Sequence, residues 1–201
     1  YMPMEGGETN ALLDYSGSGH DGTKGTGVSW GAGTGRDGQG AFSFDGSDNA
    51  WIDVGDNLPS GAYTKAAWVN FAGGSCNNII SGDNGHAFWV TGGNLSAGHN
   101  PGWDMDVQET DAFPVGVWTF VVVTYDPAAA SDQLVLYKNG IRVAGSGSGG
   151  VGSPICSTCS NPNQLWVGAF SNTPGGHGPH CTWNGEIDGA RAYDTLLSAD
   201  Q

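Results

Sequence analysis

Apolar and polar residues alternate with a period of two along much of the chain. Ala41-Phe-Ser-Phe-Asp45, Trp51-Ile-Asp-Val54 and Tyr63-Thr-Lys-Ala-Ala-Trp-Val-Asn-Phe71 all do so. That period places successive side chains on opposite faces of a strand. Trp118-Thr-Phe-Val-Val-Val-Thr-Tyr125 is a nearly continuous β-branched and aromatic run, which predicts a central sandwich strand. Helical periodicity is absent, and Pro127–Ser131 is long enough only for a turn.

Dipeptides that tolerate positive φ punctuate these runs. Asn139-Gly140 joins Leu134–Lys138 to Ile141–Ala144, Gly92-Gly93 joins His86–Thr91 to Asn94–His99, and Asn84-Gly85 joins Asn78–Asp83 to the His86 strand. A two-residue turn at Gly92-Gly93 fixes a register: Thr91 faces Asn94, Trp89 faces Ser96 and His86 faces His99. Phe88, Val90, Leu95 and Ala97 then share a core face, while Ala87, Trp89, Ser96 and Gly98 share the other. An indole on a small, polar face either offers a sugar a stacking surface or is covered by a loop. Gly17–Gly40, with only Val28-Ser-Trp30 patterned, and Ala144–Gln164 read as Gly-rich loops within one domain spanning residues 1–201.

Composition narrows the function. The 201 residues include 36 glycines without a period of three, which excludes collagen. Only 13% are charged and 10% are aromatic, which excludes a disordered chain. No apolar run approaches the length of a membrane span, so no membrane insertion is expected. Six Lys and Arg against 20 Asp and Glu give a net charge of −14. The six cations are scattered, so nucleic acid is an improbable partner. Carboxylates and carbonyls instead suit Ca²⁺, although acidic charge also simply favours solubility.

The opening Asp14-Tyr-Ser-Gly-Ser-Gly-His20, then Gly35-Arg-Asp-Gly-Gln-Gly-Ala-Phe-Ser-Phe-Asp-Gly46, and the closing Asn184-Gly-Glu-Ile-Asp-Gly-Ala-Arg-Ala-Tyr-Asp194 form a recognisable frame. With Leu136-Tyr-Lys-Asn-Gly-Ile141 and Leu165-Trp-Val-Gly168, it resembles the bacterial laminin-G-like domains of the concanavalin A-like jelly-roll superfamily. The resemblance implies an all-β fold, a two-sheet antiparallel β-sandwich with first and last strands paired near the termini. It implies a module of a larger secreted or cell-surface protein, adjoining other domains of the same polypeptide. It also implies a Ca²⁺ ion held by Asp14, Asp45, Gly46 through its carbonyl, Asp48 and Asp188. The competing reading of Asp14 and Asp45 is that they cap turns.

Glu186-Ile-Asp188 resembles the start of the catalytic strand of laminarinase-type glycosidases. A retaining mechanism there needs a further carboxylate. Arg191 stands in its place, and a guanidinium cannot donate a proton at neutral pH. The motif also falls on the last strand, expected outside the sugar-binding concave sheet, so no catalysis is expected.

Cys76, Cys156, Cys159 and Cys181 suggest two disulfides in an extracellular chain, and four cysteines allow three pairings. Cys76–Cys181 with Cys156–Cys159 is the simplest. Zinc bound by Cys156, Cys159, His177, His180 and Cys181 is the rival. The ligand-binding candidates are His86, Trp89, His99, Trp103, Asp104 and His180, in the segments least like the family. There an indole could cover a sugar ring while Asp and His bind its hydroxyls. The expected function is therefore a non-catalytic, calcium-stabilised carbohydrate-binding module. The alternative is a structural or protein-binding segment of an adhesin, and a glycan-active enzyme is a third reading.

Overall fold

A computed structural model describes residues 1–82, 86–99, 105–155, 162–170 and 181–198. Among them are a single turn of helix, α1 (Glu8–Ala11), and fifteen strands. In chain order these are β1 (Thr23–Lys24), β2 (Val28–Ala32), β3 (Gly40–Asp45), β4 (Ile52–Asp53), β5 (Tyr63–Phe71), β6 (Cys76–Asn78), β7 (Ile80–Gly82) and β8 (Ala87–Thr91). They continue with β9 (Asn94–Gly98), β10 (Val107–Gln108), β11 (Trp118–Tyr125), β12 (Leu134–Lys138), β13 (Ile141–Gly145), β14 (Leu165–Val167) and β15 (Asn184–Tyr193).

Seven strands form one antiparallel sheet in the order β13-β12-β11-β5-β15-β3-β2. Two four-stranded sheets, β10-β9-β8-β6 and β1-β4-β14-β7, share one hydrophobic core with it. The alternation read from the sequence explains this layering. Tyr63, Lys65, Ala67, Val69 and Phe71 of β5 point inward, and Phe42, Phe44, Val121, Val123 and Ile187 do the same from neighbouring strands. Phe88, Val90, Leu95 and Ala97 close the core from the opposite layer. The sandwich is the predicted all-β architecture.

The Gly92-Gly93 register is the predicted one, from Thr91↔Asn94 to Ala87↔Gly98. Asn139-Gly140 also turns β12 into β13, with φ of 51° and 79°. Three expectations change. Asn78–Gly82 is not one strand, because β6 and β7 belong to different sheets, and Asp83 and the Asn84-Gly85 turn lie outside the described residues. The Gly17–Gly40 stretch contains β1 as well as β2. The first and last strands do not pair. Instead Met2 bridges Ala190, its N–H donating to the Ala190 carbonyl at 3.0 Å, while β1 pairs with β4. The register of β15 against β5 shifts between Asp188 and Arg191, where that bridge is made.

Candidate functional site

A cleft of about 500 Å³ opens where the second half of β15 meets the N-terminal segment. Arg191 and Tyr193 line it from β15, Tyr1, Asp14 and His20 from the N-terminal segment, and Asn57 from the loop after β4. Ser16, Ser18, Ser60 and Asp194 add polar groups, and Val54, Leu58 and Leu165 form an apolar floor. Polar and apolar groups contribute to the lining in near-equal measure, which suits a ligand with both kinds of surface.

Local hydrogen bonds set the walls. Asp14 accepts from the Ser16 amide at 2.9 Å, the Ser16 hydroxyl at 2.7 Å and the His20 amide at 3.1 Å, folding the Gly/Ser segment back on itself. Asn57 Nδ2 donates to the Val54 carbonyl at 2.6 Å, which fixes its loop. The Arg191 guanidinium lies over the Tyr1 ring, 4.8 Å from its centroid.

A second feature lies on β15, beside Trp68 of β5. Asp188 comes together with Glu5 and Asp37, with one ligand-type oxygen from each within 4.8 Å of the others. Each carboxylate is held by a loop amide: Glu5 accepts from Gly40, Asp37 from Gln39 and Asp188 from Arg36. Asp188 is only 6% exposed. Burial pushes its pKa up to about 6, and the negative charges of Glu5 and Asp37 add to the rise, against the pull of the Arg36 amide. Among the described residues no Lys or Arg side chain pairs with any of the three. Three convergent oxygen ligands and an uncompensated negative charge fit a hard divalent cation.

Of the five expected calcium ligands, only Asp188 belongs to this group, and no three of Asp14, Asp45, Asp48 and Asp188 converge among the described residues. Asp14 is taken up by its own turn. Asp45 is exposed and accepts from the Ser47 amide at 2.8 Å, and Gly46 and Asp48 follow in the same turn. These residues shape turns, which was the competing reading of Asp14 and Asp45.

The ligand-binding candidates fare differently. Trp103, Asp104 and His180 lie outside the described residues, as do His177, Cys156 and Cys159. His86, Trp89 and His99 are interior groups, 0%, 5% and 2% exposed, so this face of β8 and β9 is not the open surface that the alternation suggested. A period of two distinguishes faces but does not say which face is covered. Trp183, at the start of the β15 segment, is also fully buried.

The two histidines belong to a buried polar group built around β5. His99 Nδ1 donates to the Gly152 carbonyl at 3.0 Å, so its Nε2 accepts from the Tyr63 hydroxyl at 2.9 Å. His86 Nε2 donates to the Pro59 carbonyl at 2.8 Å, which leaves Nδ1 buried and unpartnered. Lys65 Nζ donates to the carbonyls of His86 and Ile80 at 2.7 and 3.1 Å. Burial pushes the His99 pKa down to about 4, with Lys65 adding to the fall and the Gly152 bond opposing it. Burial, then Lys65 and His99, push that of His86 well down as well.

These shifts fix the sign of a pH effect. Between the folded and unfolded pKa values the unfolded chain binds more protons, so stability falls as pH drops below 6.5 toward 4. His99 alone should cost about 2–3 kcal/mol between pH 7 and 4.5, and His86 acts in the same direction. Asp188 acts in the opposite direction, so urea unfolding should be followed in an Asp188→Asn background. A flat profile from pH 7 to 4.5 would contradict the assignment of both rings as neutral.

Cys76 and Cys181 form a disulfide, one of the predicted pairings. Sequence reasoning missed Glu5, Asp37, Tyr1, Asn57 and Tyr193 as site residues. Asp37 stands inside the quoted Gly35–Gly46 motif, which was the available signal. Tyr193 stands inside the quoted Asn184–Asp194 motif, while Tyr1, Glu5 and Asn57 sit in segments whose convergence only the fold reveals.

No curated protein matches the chain. Domain 4 of an extracellular arabinanase from Geobacillus stearothermophilus, solved with arabinotriose, superposes with a TM-score of 0.67 at 19% identity, covering 94% of this chain and 90% of that one. A provisionally assigned carbohydrate-binding protein of Bacteroides ovatus gives 0.55 at 14%, covering 71% of this chain but only 40% of its own length. The CBM40 module of a Ruminococcus gnavus sialidase, bound to α2,3-sialyllactose, gives 0.51 at 14%, covering 72% and 81%. At these identities the likeness is one of fold. A laminin-G family model described as the concanavalin A-like lectin/glucanases superfamily matches residues 44–201, and the chain belongs to that family.

Proposed function

We propose that this domain is a non-catalytic, calcium-stabilised carbohydrate-binding module of a secreted or cell-surface protein. The observation that carries the reading is the cleft at Arg191 and Tyr193, where aromatic rings, hydroxyls, carboxylates and a guanidinium surround an apolar floor. That mixture suits a sugar, which has apolar ring faces and a hydroxylated edge. Two fold neighbours were solved with arabinotriose and sialyllactose, which supports a glycan as the class of partner. The Cys76–Cys181 disulfide supports an oxidising compartment.

Glu5, Asp37 and Asp188 would hold the calcium ion, which supplies the positive charge that the three carboxylates lack. These residues come from the N-terminal segment, the β2–β3 loop and β15, so the ion would fasten the strand that carries Arg191 and Tyr193. In the Glu186-x-Asp188-x-x-Arg191 pattern, Asp188 belongs to this group and Arg191 is a guanidinium, which cannot donate a proton at neutral pH. That arrangement supports binding without turnover.

Affinity electrophoresis through gels holding soluble arabinan, xylan, glucan or mannan tests the reading. The protein should be retarded by at least one polysaccharide, Tyr193→Ala should migrate freely, and no reducing ends should form. Release of reducing ends would show an enzyme instead. Retardation undiminished in Tyr193→Ala would move the binding site away from the cleft.

A further inference from the structure

A sheet face turned to water is ordinarily polar. The outward face of the seven-stranded sheet departs from this. The inward side chains of β5 and β11 already fill the core, yet the registers also set aromatic and aliphatic residues side by side on the outside. Phe120 stands opposite Trp68, Val122 opposite Ala66, and Tyr137 of β12 opposite Val122, while Tyr193 of β15 stands opposite Thr64. The Phe120 and Trp68 rings lie 5.2 Å apart between centroids. Trp68, Trp118, Phe120, Val122, Tyr137 and Tyr193 are each only partly covered, so a ligand can reach them. A contiguous apolar surface of this kind marks a contact site more often than chance exposure.

A hollow of about 110 Å³ lies within this face. Phe120 and Val122 line it from β11, Tyr137 from the β12 side, and Tyr193 and Leu197 from the β15 side. The Thr64 hydroxyl pins the segment after β15 there, donating to the Thr195 carbonyl at 3.0 Å and accepting from the Leu197 amide at 3.0 Å. Tyr193 lines this hollow and the larger cleft alike, so the two share a wall. The hollow is too small for an independent small-ligand site, but it can extend the cleft. A second copy of the chain is opposed by the net charge of −14. A glycan suits the lining: ring faces can lie on Phe120 and Tyr137, and hydroxyls can meet phenol groups that both donate and accept. We propose that the outward sheet face at Phe120 and Tyr137 is a second subsite, continuous with the cleft across Tyr193. The ligand is then an internal stretch of a sugar chain rather than a single terminal sugar. This rests on the reading of the cleft as the glycan site.

Isothermal titration of the full chain with the tri- and hexasaccharides of arabinan, xylan, β-1,4-glucan and mannan tests it. In at least one series the hexasaccharide should bind at least tenfold more tightly than the trisaccharide. Phe120→Ala and Tyr137→Ala should each weaken the hexasaccharide at least fivefold and leave the trisaccharide unchanged, while Tyr193→Ala should weaken both. In the wild-type protein the backbone amide resonances of Ala66 and Val122 should move with the hexasaccharide, a readout that needs no variant to fold. Equal affinity for both lengths, with those resonances stationary, would overturn the second subsite and leave the cleft as the site. A gain with length that survives both Phe120→Ala and Tyr137→Ala would place the extra contacts elsewhere and overturn this assignment. A dimer in sedimentation that Phe120→Ala disperses would give the face to a second copy instead. Silence toward every length would overturn this inference together with the carbohydrate reading.

Discussion

Replacing Cys76 and Cys181 together by serine should lower the midpoint of thermal unfolding by about 10 °C. The bond joins residues 105 apart in sequence, so it removes much of the freedom of the unfolded chain. Loss of a bond closing so long a loop costs about 2–5 kcal/mol, and in a domain of this size each kcal/mol shifts the midpoint by about 2–4 °C. The neighbouring contacts offset only part of the loss. The Asn78 amide and side chain both donate to the Cys181 carbonyl, at 3.0 and 2.7 Å, and the Asn184 amide donates to Asn77 Oδ1 at 3.2 Å. They hold the folded geometry in place but do nothing to the unfolded ensemble. Differential scanning calorimetry of the double variant checks this, and an unchanged midpoint would mean that the bond constrains nothing.

Calcium in millimolar excess should raise the midpoint by about 5–10 °C over the protein in EDTA. An ion bound only by the folded state at a hundred times its Kd stabilises by about 2.7 kcal/mol. The effect should be larger than for an exposed acidic patch, because Asp188 is buried and its charge is otherwise opposed by Glu5 and Asp37. Asp188→Asn should abolish the calcium response and make the metal-free protein more stable, since it removes the buried charge. Asp45→Asn and Asp48→Asn should keep the response. A melting curve identical in calcium and EDTA would contradict the ion. A response lost in Asp45→Asn but kept in Asp188→Asn would return it to the Asp45 turn.

Much of the fold was legible because strands advertise themselves twice, by alternation and by the turns that end them. The Gly92-Gly93 hairpin is predicted residue by residue, since the turn length fixes which side chains face each other. What the pattern cannot express is whether a second layer covers a face. His86, Trp89 and His99 therefore read as a polar surface yet lie inside the protein. The carboxylate group was half legible. Asp188 follows from the family frame, but Glu5 precedes the model-matched region and has no periodic or motif signal. The cleft was the least legible, because its walls come from both ends of the chain and meet only where Met2 bridges Ala190.

The most direct measurement is a broad glycan array probed with the folded protein, once in calcium and once in EDTA. The account predicts binding to at least one glycan in calcium, weaker binding in EDTA, and none by Tyr193→Ala. Silence across the array in both conditions, from protein shown to be folded, would contradict a carbohydrate-binding module and favour a structural or protein-binding role.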